Sequence, residues 1–282
     1  MFLGVNPDFC EKDPFLQPAT LKRGGFACAD FGKFVDTEGE FFKQSDEAFF
    51  SSLAALRRAY EEAGIKVWQT HSPWRCPARD FTPDDREERF SAMARSVRGT
   101  AALGCSYMVI HPIMPFGENV PDCPEEVLRI NREFFTRLCD VADEVGVTVC
   151  LENMPFTHHP LAHPRDIAAF VRGMNRDSLK MCFDTGHTTF YGDAEPAGVL
   201  REYRDIIRTL HVHDNCRDGR DAHAEPYTGC IDWDAFAEAL ADCPDIGCLS
   251  LELHGVSPEE REAAIKAAHA AGERLLRATG RK

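Results

Sequence analysis

The chain has 282 residues and is 44 per cent apolar, enough for one large core, while its formal charge of −14 opposes a nucleic-acid partner, which needs a basic footprint. No stretch stays apolar for the roughly 18 residues of a transmembrane span, and the opening MFLGVNPDF lacks the basic flank and long apolar core of a secretory signal. The twelve cysteines form no CxxC pair, so the expectation is a cytoplasmic protein with reduced, mostly buried thiols and no membrane.

In chain order, FLGV at 2–5 reads as a first strand, a short element covers 16–23, and GFACADF at 25–31 reads as a second strand buried on both faces. Residues 45–64 form the clearest helix. Ser45 is its N-cap candidate, Phe49, Leu53, Leu56 and Tyr60 recur at helical spacing, and Gly64 stops it. IKVWQTH at 65–71 is a third strand. The unit then repeats: helix 84–104 with strand 106–111, helix 124–146 with strand 147–152, helix 163–174 with strand 179–184, helix 196–207 with strand 208–214, helix 232–242 with strand 248–254, and a closing helix at 257–279. Continuous apolar strands alternating with amphipathic helices mean a parallel sheet. Eight strands in this length predict an α/β fold, a single (β/α)8 TIM barrel over 1–282. An open doubly wound sheet is the rival, but it gathers its ligand at one switch point. The basic tip LLRATGRK reads as a solvated helix end.

Six strands end in an acid or a histidine: VWQTH71, MVIH111, VCLE152, MCFD184, RTLH211 and LSLE252, at intervals of 27 to 41 residues. In a barrel these ends surround one cavity. Glu152, Asp184, His211 and Glu252 are the first-choice metal set. Oxygen ligands with one imidazole suit a divalent ion such as Mn, Co, Mg or Zn, and a carboxylate after VTVCL would otherwise bury its charge unpaired. His71, His111, His187, Asp221 and His223 are further candidates for metal or substrate. His213 shares the facing of His211. His158, His159 and His163 form a loop cluster near the mouth, either touching substrate or exposed, and His269 reads as surface.

Such a set supports two chemistries. With strands five and eight roughly across the barrel, Glu152 and Glu252 would flank a sugar whose carbonyl is polarised by the metal, exchanging a proton through an enediolate. Alternatively, two or three ions would hold a phosphodiester for in-line attack. Trp74 and Arg217 are substrate candidates, the first by stacking and the second by binding an anion, with Trp68, Phe116, Phe156, Tyr191 and Arg220 as further aromatic or basic contacts. A homo-oligomer through the last helix is left open.

The motifs LEN at 151–153, FDTGH at 183–187, HVHDN at 211–215, DAHAEPYTGCIDW at 221–233 and LELH at 251–254 resemble those of the xylose-isomerase-like TIM-barrel superfamily over nearly the whole chain. That group holds sugar isomerases and epimerases, inosose dehydratases and isomerases, and endonuclease IV-type nucleases. The resemblance implies shared metal positions at Glu152, Asp184, His211 and Glu252, with Glu152 and Glu252 also the acid–base pair of the epimerase branch. THSP at 70–73 and IHP at 110–112 resemble the places of two further histidines in the nuclease branch, so all nine nuclease-type positions are matched. Three features favour a small sugar or polyol substrate over DNA: the acidity, the lack of an Arg/Lys-rich strip beyond Arg75 and Arg79 near Trp74, and Ala222 where that branch carries an arginine. The expected activity is a metal-dependent sugar isomerase or epimerase. A dehydratase or lyase on a cyclic polyol or keto-sugar, an endonuclease IV-like hydrolase, and a non-enzymatic binding barrel are the alternatives.

Overall fold

The computed structural model describes residues 1–75, 78, 80–118 and 123–281, so Cys76 and Arg79 lie outside the described residues. Eight strands, β1 Phe2–Val5, β2 Cys28–Phe31, β3 Lys66–His71, β4 Tyr107–Ile110, β5 Thr148–Glu152, β6 Leu179–Asp184, β7 Ile207–His211 and β8 Cys248–Leu251, make one parallel sheet in the order β7-β6-β5-β4-β3-β2-β1-β8. A parallel bridge between Val212 and Leu251 closes it, with the Val212 N–H donating to Ser250 C=O at 2.8 Å. The expected barrel is therefore present. Around it run α1 Gln17–Gly24, α2 Asp46–Ala63, α3 Pro83–Ala102, α4 Pro124–Val145, α5 Pro164–Met174, α6 Pro196–Tyr203, α7 Trp233–Ala241 and α8 Arg261–Ala278. None of the described helices is long and apolar enough to cross a membrane.

Local chemistry sets most boundaries. Ser45 Oγ accepts the Ala48 N–H at the start of α2, which buries Phe49, Leu53, Leu56 and Tyr60 against the barrel, each side chain contributing about 1.5–3 kcal/mol. Gly64 ends the helix at φ 72°, a conformation that favours glycine. Thr82 and Asp85 form a reciprocal capping box on α3. Several boundaries differ from expectation: α6 ends at Tyr203 instead of 207, β7 spans Ile207–His211 instead of 208–214, and β8 ends at Leu251 instead of 254. Gly25 is the left-handed cap of α1, so β2 begins only at Cys28. The last helix starts at Arg261, because Glu260 Oε2 accepts from both Ser257 N–H and Ser257 Oγ–H and holds that stretch as a turn.

Strand alternation explains the polar strand ends. Side chains two apart share a face, so Val109, Cys150 and Cys182, a small buried cluster of their own, point into the barrel. The next inward positions, His111, Glu152 and Asp184, face the mouth at the C-terminal end. Cys28 and Asp30, Thr209 and His211, and Ser250 and Glu252 follow the same rule. Small residues fill the narrow floor: a Cβ on Gly4 would lie 2.8 Å from Cys248 Sγ. The eleven described cysteines are free thiols; eight are buried, Cys123 is half-buried, and Cys216 and Cys230 are exposed.

Candidate metal centre

Glu152 lies at the centre of the mouth, 1 % exposed. Its Oε1 is 3.0 Å from His211 Nδ1 and 3.7 Å from His187 Nδ1, and its Oε2 is 3.1 Å from His111 Nε2 and 3.6 Å from His71 Nε2. Glu252 Oε2 is 3.2 Å from the same His211 nitrogen. Glu152, Asp184, His211 and Glu252 each offer a ligand atom within 4.8 Å of the others, as do His71, Glu152 and His211. A further group joins His187, His213, Asp221 and His223. All nine candidate ligands thus meet at one end of the barrel. The two glutamates do so differently from expectation: β5 is three places from β8 around the barrel, and their carboxylates converge on His211 instead of facing each other across the full diameter.

The imidazoles are oriented from behind. His71 Nδ1 donates to Ser72 C=O at 2.9 Å, His187 Nδ1 to Asn153 C=O at 2.7 Å and His223 Nδ1 to Glu252 C=O at 3.3 Å. Carbonyls only accept, so these bonds place the proton on Nδ1 and turn Nε2 toward a carboxylate: Glu152 for His71, and Asp221 Oδ2, at 3.1 Å, for both His187 and His223. His211 is reversed. Its Nε2 donates to Asp30 Oδ2 at 2.9 Å, and Nδ1 faces Glu152 and Glu252. Lone pairs of nitrogen and carboxylate oxygen that converge in a buried site need either a proton between them or a cation. Backbone and carboxylate partners such as those behind His71, His187, His211 and His223 are what metal-ligating histidines use, so this donor set fits a divalent ion; His111 Nδ1 has no such partner among the described residues.

The electrostatics follow. Burial pulls the His211 imidazole down, but Glu152 and Glu252 outweigh it and hold it well above its ordinary value. Burial raises the Glu152 carboxyl, and His211 and His111 outweigh that, keeping it well below the usual carboxylate range. His187 is pushed up to about 10, with Asp184 and Asp221 overcoming burial, and His223 to about 9 through Glu252 and Asp221. His111 goes the other way: burial prevails over Glu152 and pushes it down to about 4.

The loop motifs have structural explanations. Asn153 joins two strand ends, its side chain donating to Asp184 C=O and accepting the Asp184 N–H. In DTGH, Asp184 Oδ1 accepts the His187 N–H at 2.7 Å, and a Cβ on Gly186 would lie 2.0 Å from the His213 ring. His213 in turn places Nε2 2.9 Å from Asp184 Oδ2 and stacks on His223 at 4.0 Å. Asp214 gathers the long loop, accepting from Gly229 N–H, Ile231 N–H and Trp233 Nε1–H. Paired backbone bonds between Asp214 and Ala224 hold His223 at φ 44°, a strained setting that aims its ring inward.

Asp30 and His213 join the cluster although sequence reasoning left them out of its site. Asp30 is 3 % exposed, and its Oδ2 also accepts from Gln69 Nε2 at 2.9 Å. The signal was an acid inside the apolar strand GFACADF. Trp74 lines the cavity, edge-on to His111 at 4.4 Å and stacked on Phe156 at 6.4 Å. Arg217 does not line it; on an exposed loop at φ 55°, it pairs with Glu195 at 2.6 Å. Arg220 pairs with Asp218. His159 and His163 are buried away from the cavity. His163 caps α5, accepting the Arg165 N–H, and contacts Asp193. His269 packs edge-on to Phe26 at 5.5 Å.

The cavity over these groups measures about 1060 Å³. Asp30, Glu152, Asp221 and Glu252 lie on the side of the clustered histidines and Asp8, Asp36, Glu40 and Glu118 further out, against Lys12 and Lys33 as the lysines in its lining. Such a lining disfavours an anionic substrate unless bound cations offset it.

Fold and site together define a (β/α)8 barrel whose mouth gathers carboxylates and imidazoles close enough to hold a metal ion. The xylose isomerase-like TIM barrel family model matches residues 20–275, and the chain belongs to that family. An uncharacterized protein of Methanocaldococcus jannaschii is 26 % identical over 209 residues, 71 % of this chain and 67 % of that protein. A probable endonuclease 4 of Staphylococcus saprophyticus is 28 % identical over 153 residues, half of each chain. Among solved structures, a D-psicose 3-epimerase in the presence of D-fructose superposes with a TM-score of 0.80 at 16 % identity, covering 100 % of both chains. The IOLI protein with a bound zinc atom superposes at 0.75 and 19 % identity, covering 99 % of this chain and 98 % of that one. At these identities the solved structures establish the shared fold.

Proposed function

We propose that the protein is a divalent-metal-dependent isomerase or epimerase of a sugar, keto-sugar or polyol. Glu152, Asp184, His211 and Glu252 are assigned as ligands of the ion, and Glu152 and Glu252 as its acid–base pair. The observation that carries this reading is the placement of Glu152 and Glu252 at 3.0 and 3.2 Å from one nitrogen of His211, on the floor of an acidic cavity with aromatic walls. The zinc atom of one structural neighbour and the epimerase activity in the name of another support a metal and a sugar; Mn, Co, Mg and Zn all suit the donor set.

A bound divalent ion would polarise the substrate carbonyl and acidify the adjacent C–H. The chain supplies the rest. One glutamate removes the proton and the other returns one, reaching the carbon from strands three places apart. Asp30 holds His211 in the tautomer that turns Nδ1 to the site, and Asn153 and His213 hold Asp184. His187, His223 and Trp74 line the cavity, the two histidines assigned to substrate hydroxyls and the indole to one wall. The test is a panel of ketoses incubated in deuterated water with the metal-loaded protein. Solvent deuterium should enter at a single carbon, and its absence from every ketose refutes the proton-transfer step. A dehydratase would use the same groups and show itself by loss of water from the product.

A second reading, a multi-zinc phosphodiester hydrolase, is favoured by the additional group His187, His213, Asp221 and His223. The acidic cavity lining counts against it. Two or three zinc ions per chain together with cleavage of an abasic-site oligonucleotide would establish it in place of the first.

A further inference from the structure

The cavity is larger than a reaction on one sugar ring requires. Its volume of about 1060 Å³ lies at the top of the ~300–1,000 Å³ range that encloses whole drug-sized ligands, and a single hexose is far smaller than those. The excess lies on one side. The nine candidate metal ligands come from β3 to β8 and the loops that follow them, whereas the opposite wall comes from the loops after β1 and β2, residues 6–15 and 32–44.

That wall is built in advance. Gln17 Nε2 donates to Asp8 Oδ1 at 3.1 Å, and Lys33 pairs with the same carboxylate. Val35 C=O accepts the Trp74 N–H at 3.0 Å, and Gln44 C=O accepts from Arg95 Nη2 at 2.7 Å. Behind it, Phe31, Phe34, Phe42 and Phe49 interlock with ring centroids 5.3 to 6.4 Å apart, and Phe41 at the cavity surface packs on Phe31 and Phe49. Its cavity side combines apolar surface from Phe15, Val35 and Phe41 with hydrogen-bonding groups from Lys12, Glu40 and Gln44. Where the two halves meet, Asp30 lines the cavity, and its buried Oδ1 has no hydrogen-bond partner among the described residues. Apolar surface interspersed with donors and acceptors suits the faces and hydroxyls of a pyranose ring.

We propose that this wall is a second-ring subsite and that the substrate is an uncharged glycosylated ketose, its reacting sugar on the Glu152 and Glu252 side and its second ring against the loops after β1 and β2. This rests on the proton-transfer reading above. The wall's charge disfavours a phosphate at the distal end, because Asp8, Asp36 and Glu40 outnumber Lys12 and Lys33, and Lys33 is already paired.

The test titrates the Mn²⁺-loaded full chain calorimetrically with D-fructose, D-fructose 6-phosphate and two ketose disaccharides, lactulose and isomaltulose, and follows deuterium uptake by the same sugars. At least one disaccharide should bind about tenfold or more tighter than fructose. Val35→Trp, which fills the wall, should bring that ratio close to one; Phe41→Ala, which removes its aromatic face, is the second variant should the first fail to fold. Equal affinity for fructose and both disaccharides, preference for fructose 6-phosphate, or no binding by either disaccharide overturns the subsite. A retained binding preference without deuterium uptake in any sugar leaves the subsite standing and overturns the proton-transfer reading instead.

Discussion

Asp30→Asn tests the arrangement behind His211. The carboxylate is 3 % exposed, lies 2.9 Å from His211 Nε2, and accepts from Gln69 Nε2 at 2.9 Å. An asparagine has the same size, and its amide oxygen can accept both bonds, so the substitution removes charge while leaving the packing alone. A hydrogen bond to a charged group contributes about 1.5–3 kcal/mol. Loss of a partner behind a metal ligand costs about 10–100-fold in affinity, which is about 1.4–2.7 kcal/mol. The two ranges agree, so Mn²⁺ or Zn²⁺ affinity of the variant, measured by competition with a fluorescent chelator at pH 7, should fall about 10–100-fold. The metal-free variant should keep its melting temperature within about 4 °C, because no volume is lost and a buried charge is removed. Imidazole ¹⁵N chemical shifts should show the Nε2–H form of His211 less populated. Unchanged metal affinity together with an unchanged tautomer would refute the role assigned to Asp30.

Four further outcomes follow from the geometry. Glu252→Gln should lower turnover by about 10²–10⁴-fold while the fold persists; full deuterium uptake by that variant removes Glu252 from the acid–base pair. A chelator should lower the melting temperature, and metal at about 100 times its Kd should add back about 2.7 kcal/mol of stability; identical melting curves with and without metal contradict a bound ion. Gly186→Ala forces a Cβ to 2.0 Å from the His213 ring and should cost about 1–3 kcal/mol or more, visible as a drop of several degrees in the melting temperature; an unchanged midpoint shows that the ring packs elsewhere. His159 is buried, with Nδ1 accepting the Leu161 N–H, and burial pushes its pKa down from 6.5 to about 4. The unfolded chain therefore binds the proton first, so stability is full above about pH 6.5 and falls as pH drops toward 4, by about 3 kcal/mol at most. Urea unfolding at pH 7 and pH 4.5 should show a smaller drop for His159→Gln than for the parent, and equal drops contradict the assignment.

Much of the site was legible because barrel geometry ties position to role. A residue at the last inward position of a parallel strand must face the mouth, and for His71, Glu152, Asp184 and His211 the strand's final residue was enough to find it. Asp30 was not legible in the same way. Cys28–Phe31 is short and apolar around it, so burial on both faces was the natural reading, and its partner His211 lies 181 residues away. Arg217 failed in the opposite sense: proximity along the chain to His211 suggested the cavity, but a left-handed backbone and the Glu195 carboxylate turn it outward.

By itself the sequence determined the eight-unit parallel barrel, through continuous apolar strands and amphipathic helices, and the identity of the residues at its mouth. Local periodicity carries both, since helix and strand repeats are properties of neighbouring residues. Only the tertiary structure decided which nitrogen of His187 and His211 faces the site, because that is set by the Asn153 carbonyl just past β5 and the Asp30 carboxylate on β2. It alone decided that Glu152 and Glu252 converge on His211, since barrel closure and strand stagger are set by packing of the whole sheet. And it alone revealed the broad wall after β1 and β2, which exists only once the phenylalanines of the loop after β2 have packed on Phe31 and Phe49.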